Sequence, residues 1–183
     1  MMDWGRYKST NLEERNKVVK MTFLREELLF DIKDNAWVEG DVMPAEGDNV
    51  VHKKHQLQDI CDDSNINRVN RLIELGMAEC AEALSSLMKE SVEDVTEVND
   101  AHKDGGDFEL VLAVPNDFPK TTIDVLVTYI HEYIVSRVLA DRMRTMYPAA
   151  AANWEEKKET TLANIKRKVN ARVGRVRRTQ TPF

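Results

Sequence analysis

The stretch Asn65 to Leu87, NINRVNRLIELGMAECAEALSSL, decides how the rest of the chain is read. Ile66, Val69, Ile73, Met77, Cys80, Leu84 and Leu87 recur in it at steps of three and four. That spacing lines one side of an α-helix and lays an apolar stripe against a core. Ser64 or Asn65 stands where an N-cap belongs, so a helix over about 65–88 is expected. Gly76 and Ala83, on or beside the stripe, leave room for another helix to come close.

Working outward, a second helical pattern follows Pro119, with Thr121 or Thr122 as its cap. Its stripe is Ile123, Leu126, Val127, Ile130, Ile134, Val138 and Leu139, continuing toward Met143 and Met146 until Pro148 interrupts it. A third pattern starts near Ala149 and carries Trp154, Leu162, Ile165, Val169 and Val173 on one side. Gly174 sits where a C-terminal cap glycine belongs. Upstream, Thr10 and Glu13 have capping-box spacing. Leu12, Val18, Val19, Met21, Phe23, Leu24, Leu28, Leu29 and Ile32 then predict one or two helical pieces over 11–34. Val18-Val19 and Met21-Thr22-Phe23 are where that run could break.

Between these patterns the period changes. Phe108, Leu110, Leu112 and Val114 alternate with Glu109, Val111 and Ala113, which predicts a strand ended by Pro115. Glu93 to Val98 is its candidate hairpin partner, giving a β insertion at about 92–114. Gly40, Pro44 and Gly47 punctuate residues 35–62, where Ala36-Trp37-Val38 could form a short strand. The remainder of 35–62 reads as an exposed loop, of a length that is uncommon in compact domains and is usually functional or flexible. The fold expected is mainly α: a small bundle of three to five helices with an inserted β-hairpin or short strands. Residues 1–173 form one domain, and 174–183 form an extended C-terminal arm.

Composition agrees with a globular chain. Of 183 residues, 42% are hydrophobic and 32% charged, and no run approaches the roughly 20 apolar residues needed to cross a bilayer. Met1 to Thr10 has no apolar segment behind its basic residues, so no secretion signal is expected. Two cysteines, Cys61 and Cys80, do not make a disulfide framework. The net charge of −6 hides a split. Lys166, Arg167, Lys168, Arg172, Arg175, Arg177 and Arg178 follow Thr160 with no acid among them, which leaves residues 1–159 with 19 basic against 32 acidic side chains, a net of −13. Such a split points to an interaction tail on an acidic body.

Few residues are arranged for chemistry. His131-Glu132 opens like the zinc-protease motif, but Val135 occupies the position of the second histidine. His52, His55 and Cys61 could share a zinc ion, yet a fourth ligand is missing nearby and Lys53-Lys54 would repel a cation. A solvated segment is the better reading. Asp104-Gly105-Gly106 precedes a strand rather than a helix, so it offers no helix N-terminus to a phosphate. The carboxylates Asp59, Asp62, Asp63, Glu90, Glu93 and Asp94 fall in polar stretches without the burial that raises a carboxyl pKa. No catalytic, cofactor or metal site is expected, and the chain is not expected to be an enzyme.

The basic tail is the exception. Arg172, Arg175, Arg177 and Arg178 can pair bidentately with carboxylates or phosphates. Pro182 fixes the backbone ahead of Phe183, a combination suited to inserting an aromatic ring into a pocket at low entropic cost. A partner-docking peptide made of these six residues is preferred over a solubilising terminus. A nucleic-acid contact is weakened by the lack of interleaved aromatics and by the acidic body.

Several runs resemble a known family. They are Asn65-Ile66-Asn67-Arg68-Val69-Asn70-Arg71-Leu72-Ile73 leading into Ala78-Glu79-Cys80, and Phe108 through Phe118. The closest is the block Ile130-His131-Glu132-Tyr133, Arg137 to Asp141, and Ala152-Asn153-Trp154, with the Arg-rich end. Over roughly residues 60–183 they resemble head–tail connector (adaptor, or neck) proteins of tailed phages and prophages of gut Bacteroidales. The resemblance implies an oligomeric ring of about twelve copies beneath the portal, joining the DNA-filled head to the tail. It implies the portal protein and other neck or tail proteins as partners, with residues 174–183 as an arm onto the portal. Genomic DNA would pass without sequence-specific binding, and the protein would be made in the host cytoplasm and reside in the virion. A tail-completion or stopper protein, or a regulatory module binding nucleic acid or an acidic protein through its tail, are the alternatives.

Overall fold

Val18-Val19 and Met21-Thr22-Phe23 do break the first helical run, and they do so by forming a strand. The computed structural model describes residues 16–44, 50–88 and 106–170. Its first element is β1 (Asn16–Phe23), in which Met21 and Phe23 are buried while Lys20 and Thr22 are exposed. β-branched and aromatic residues with this alternation suit a half-buried strand better than a helix. α1 (Arg25–Val42) follows at once, with Glu26 and Glu27 in its first turn, where acids favour the helix dipole.

Residues 35–62 depart most from expectation. Their described part, 35–44 and 50–62, is not an exposed loop, and Ala36-Trp37-Val38 is not a strand. α1 runs through them to Val42, and α2 (Val50–Gln58) follows, with residues 45–49 outside the described residues. The buried side of α1 is Leu28, Ile32, Ala36 and Gly40, a stripe whose side chains shrink toward its end. Gly40 is there because α2 packs against it: a Cβ would stand 3.2 Å from Gln58 Cγ. A residue that reads as a helix breaker is thus a packing residue.

The helix expected over 65–88 is present as α3 (Ile66–Ala83), burying Val69, Ile73, Met77 and Cys80, with Leu84 and Leu87 still buried beyond its end. Asn65 takes the N-cap position without capping through its side chain. The strand β2 (Phe108–Pro115) buries Phe108, Leu110, Leu112 and Val114 as the alternation required. Among the described residues its partner is β1, and Glu93–Val98, the expected partner, lies outside them. The two run antiparallel in register from Asn16↔Pro115 to Phe23↔Phe108. The ribbon is fastened at both ends. Arg25 donates through its backbone N to Asp107 Oδ1 and through Nε to the Gly106 carbonyl, each at 3.1 Å, and Ala113 N donates to the Leu87 carbonyl at 2.7 Å.

α4 (Lys120–Met146) is the axis of the bundle. Pro119 rather than Thr121 or Thr122 is its N-cap, and Thr122 is buried in its first turn. Leu126, Ile130, Ile134, Val138, Leu139 and Met143 are fully buried, and Tyr133, Val135 and Ala140 extend burial around the helix. An α-helix apolar on several sides must be surrounded. Accordingly α1, α2, α3 and α5 (Pro148–Val169) all pack on α4. Pro148 is the first residue of α5, where a missing N–H costs nothing. Trp154, Ile165 and Val169 are buried as the third pattern required. Asn170 takes the C-cap position, and Gly174 lies outside the described residues. The chain is therefore mainly helical, with five helices and a two-stranded ribbon among the described residues.

Candidate functional site

The outer side of α1 is the described surface least like an ordinary solvated one. Phe30 is 67% exposed, Trp37 50%, Val38 56% and Val42 67%. Glu26, Phe30, Asp34, Trp37 and Asp41 succeed one another at steps of four, four, three and four. They therefore form one line along the helix, opposite Leu28, Ile32, Ala36 and Gly40. Rings and carboxylates alternate along it. Between Phe30 and Trp37 lies a shallow depression of about 220 Å³, completed by Lys33 and Asp34. Asp41 also pairs with Lys54 of α2 at 2.9 Å. Clustered apolar side chains of this size mark contact surfaces more often than isolated ones do. The sequence held the signal at helical spacing, but the strand reading of Ala36-Trp37-Val38 hid it.

The titratable groups elsewhere fasten helices to one another. Tyr133 donates its hydroxyl to Glu79, and Arg137 Nε donates to the same carboxylate at 3.2 Å, joining α4 to α3. Burial, reinforced by that hydrogen bond, pushes the Tyr133 phenol above its ordinary range and keeps it a donor. The His131 ring lies 2.7 Å from Asp31 Oδ2, joining α4 to α1. Cys61 donates to the Leu29 carbonyl. Burial pushes Cys61 up to about 11 and Cys80 up to about 12, so both are thiols rather than nucleophilic thiolates at neutral pH.

Arg142 was not singled out by sequence reading. It is 4% exposed, its Nη2 donates to Asn65 Oδ1 at 3.3 Å, and its Nε has no hydrogen-bond partner among the described residues. Burial and then the neighbouring Arg68 hold its pKa below the ordinary guanidinium value. The cleft beside it, about 340 Å³, is lined also by Asp59 and Asp62, so it favours neither an anion nor a cation.

The expected site residues fall as follows. Arg172, Arg175, Arg177, Arg178, Pro182 and Phe183 lie outside the described residues. Lys166, Arg167 and Lys168 occupy the last turn of α5, where cations favour the helix dipole, and their basicity has a local cause. His52 and His55 are on α2, and His52 Nε2 meets Gln56 Nε2 at 2.8 Å. Among the described residues no group of three His, Cys, Asp or Glu side chains is placed to hold a metal ion. No described helix is long and apolar enough to cross a membrane. Comparison with protein-family models, with curated proteins and with solved structures finds no match to this chain.

Proposed function

We propose that this chain is a structural virion subunit, a head–tail connector or adaptor that assembles as a ring under the portal and joins the DNA-filled capsid to the tail. The observation that supports this best is the outer side of α1. A protein whose core is filled around α4 still leaves Phe30, Trp37, Val38 and Val42 in water on one helix, a surface suited to a neighbouring subunit. The resemblance over residues 60–183 supplies the kind of assembly. In this reading the helices keep their mutual ties fixed, the basic residues Arg172, Arg175, Arg177 and Arg178 with Pro182 and Phe183 dock on the portal, and the acidic body leaves DNA free to pass.

Solution mass tests the reading directly, measured for the protein alone and with the portal protein of the same genome. A ring-sized complex on the portal is expected, and loss of docking when residues 174–183 are deleted while the helical circular dichroism is unchanged. No association with the portal at any protein ratio would overturn it.

A further inference from the structure

We propose that the outer stripe of α1 is the seat of the chain's own basic segment, residues 171–183, taken from the same molecule. The stripe alternates carboxylate and ring: Glu26, Phe30, Asp34, Trp37, Asp41. Arginine fits such a line better than any other side chain, because its guanidinium stacks flat on an aromatic ring while its N–H groups pair bidentately with a carboxylate beside it. The fold already uses the first of these contacts, with the Arg25 guanidinium 5.2 Å from the centre of the Phe108 ring.

Residues 171–183 supply the complement. They carry four arginines, no acid, and the apolar Val173, Val176, Pro182 and Phe183, whereas the stripe carries Glu26, Asp34 and Asp41, the last paired with Lys54, against Lys33 beside it. A second copy of the stripe would be a poor occupant, since pairing it with itself sets Glu26, Asp34 and Asp41 against their own kind.

Reach is sufficient. Trp154 Nε1 donates to Glu39 Oε1 at 2.9 Å, so α5 passes α1 at that point. Val169 is fifteen residues further along α5, about 22 Å away at the helical rise. Thirteen residues, 171–183, span up to about 43 Å when extended. A tethered segment of this length meets its seat at a concentration in the millimolar range, far above that of any free copy. Occupied in this way, segment and stripe cover each other until a partner takes one of them. The link to assembly, in which docking of the segment on a portal uncovers α1 for a neighbouring subunit, rests on the connector reading. The contact itself does not.

The Trp37 indole N–H resonance of the full-length protein, free of any partner, reports on the seat and is assigned by its loss in Trp37→Phe. It is expected to shift in Arg172→Glu/Arg175→Glu/Arg177→Glu/Arg178→Glu, and to stay put in Arg167→Glu, which changes a cation of α5 outside the segment. Adding Glu26→Arg/Asp34→Arg to the fourfold variant should return the resonance toward its original position, and none of these positions should depend on protein concentration. An unmoved Trp37 resonance in the fourfold variant overturns the proposal. So does a shift that grows with concentration, which would place the segment on another copy. Because the portal is absent from this experiment, its failure leaves the connector reading standing, and a failure of portal binding leaves this contact standing.

Discussion

Trp154 is 9% exposed with its indole N–H engaged by Glu39, while Trp37 is 50% exposed on the outer side of α1. Trp154→Ala is therefore expected to cost about 3–5 kcal/mol through the cavity and the lost burial. Trp37→Ser should cost far less, about 1 kcal/mol or below, the size of an arginine stacked on an exposed ring. Urea unfolding of both variants checks the contrast, and a large loss at Trp37 would mean that its ring supports the fold. The thiols carry a second expectation. Their pKa values are raised in the folded protein by burial, from 9.0 to about 11 at Cys61 and about 12 at Cys80. Below pH 9 both are neutral folded or unfolded and their contribution to stability is complete. As pH rises past 9 the unfolded thiols ionise first, so stability falls toward pH 11–12. Cys61→Ala/Cys80→Ala should show a shallower fall of the urea midpoint between pH 9 and 11, whatever its stability at neutral pH. Burial of Cys80 was legible from its place on the Ile66–Leu87 stripe. The Arg142 position was not, because a guanidinium beside Leu139 and Met143 reads as the polar margin of a helix until Asn65 is seen to meet it.

At the scale of elements, α3, α4, α5 and β2 were legible because each repeats one period long enough to outweigh its exceptions. α1 was legible only as far as residue 34, since beyond it the buried stripe thins from Leu28 and Ile32 to Ala36 and Gly40 and so loses the large apolar residues by which a helix is recognised. β1 was hidden for another reason: its partner β2 is distant in sequence, and no local spacing announces a long-range pairing. The two helical glycines among the described residues, Gly40 and Gly76, show how packing reassigns a residue that propensity disfavours. A Cβ at Gly76 would lie 3.6 Å from Ile134 Cγ1 and 3.7 Å from Ile134 Cα, ordinary contact distances. Gly76→Ala should thus stabilise the fold by about 0.5–1 kcal/mol through helix propensity alone. Gly76→Leu must push α3 and α4 apart and should cost about 1–3 kcal/mol. Thermal unfolding of the pair decides the matter, and a destabilising alanine would mean that the helices approach more closely than this.

For the whole molecule, the governing quantity is the division of charge. The net of −13 over residues 1–159 opposes DNA, whereas residues 160–183 carry seven cations and no acid, with Lys166, Arg167 and Lys168 of them in the last turn of α5. A tail contact therefore offers at most these seven cations to phosphates. Counterion release then limits the dependence of log K on log salt to a slope no steeper than about −6.3 on duplex DNA, with no preference among sequences. A chain that reads nucleic acid through a dedicated surface would exceed that slope or discriminate between sequences. Docking on a protein through Pro182 and Phe183 behaves differently, because burial of a ring in a pocket weakens little as salt screens the arginines. Parallel salt titrations of the full-length protein against duplex DNA and against the portal are expected to diverge, the first collapsing at moderate salt and the second persisting. If both collapse together, the arginines alone carry the docking, and the aromatic anchor has to be given up.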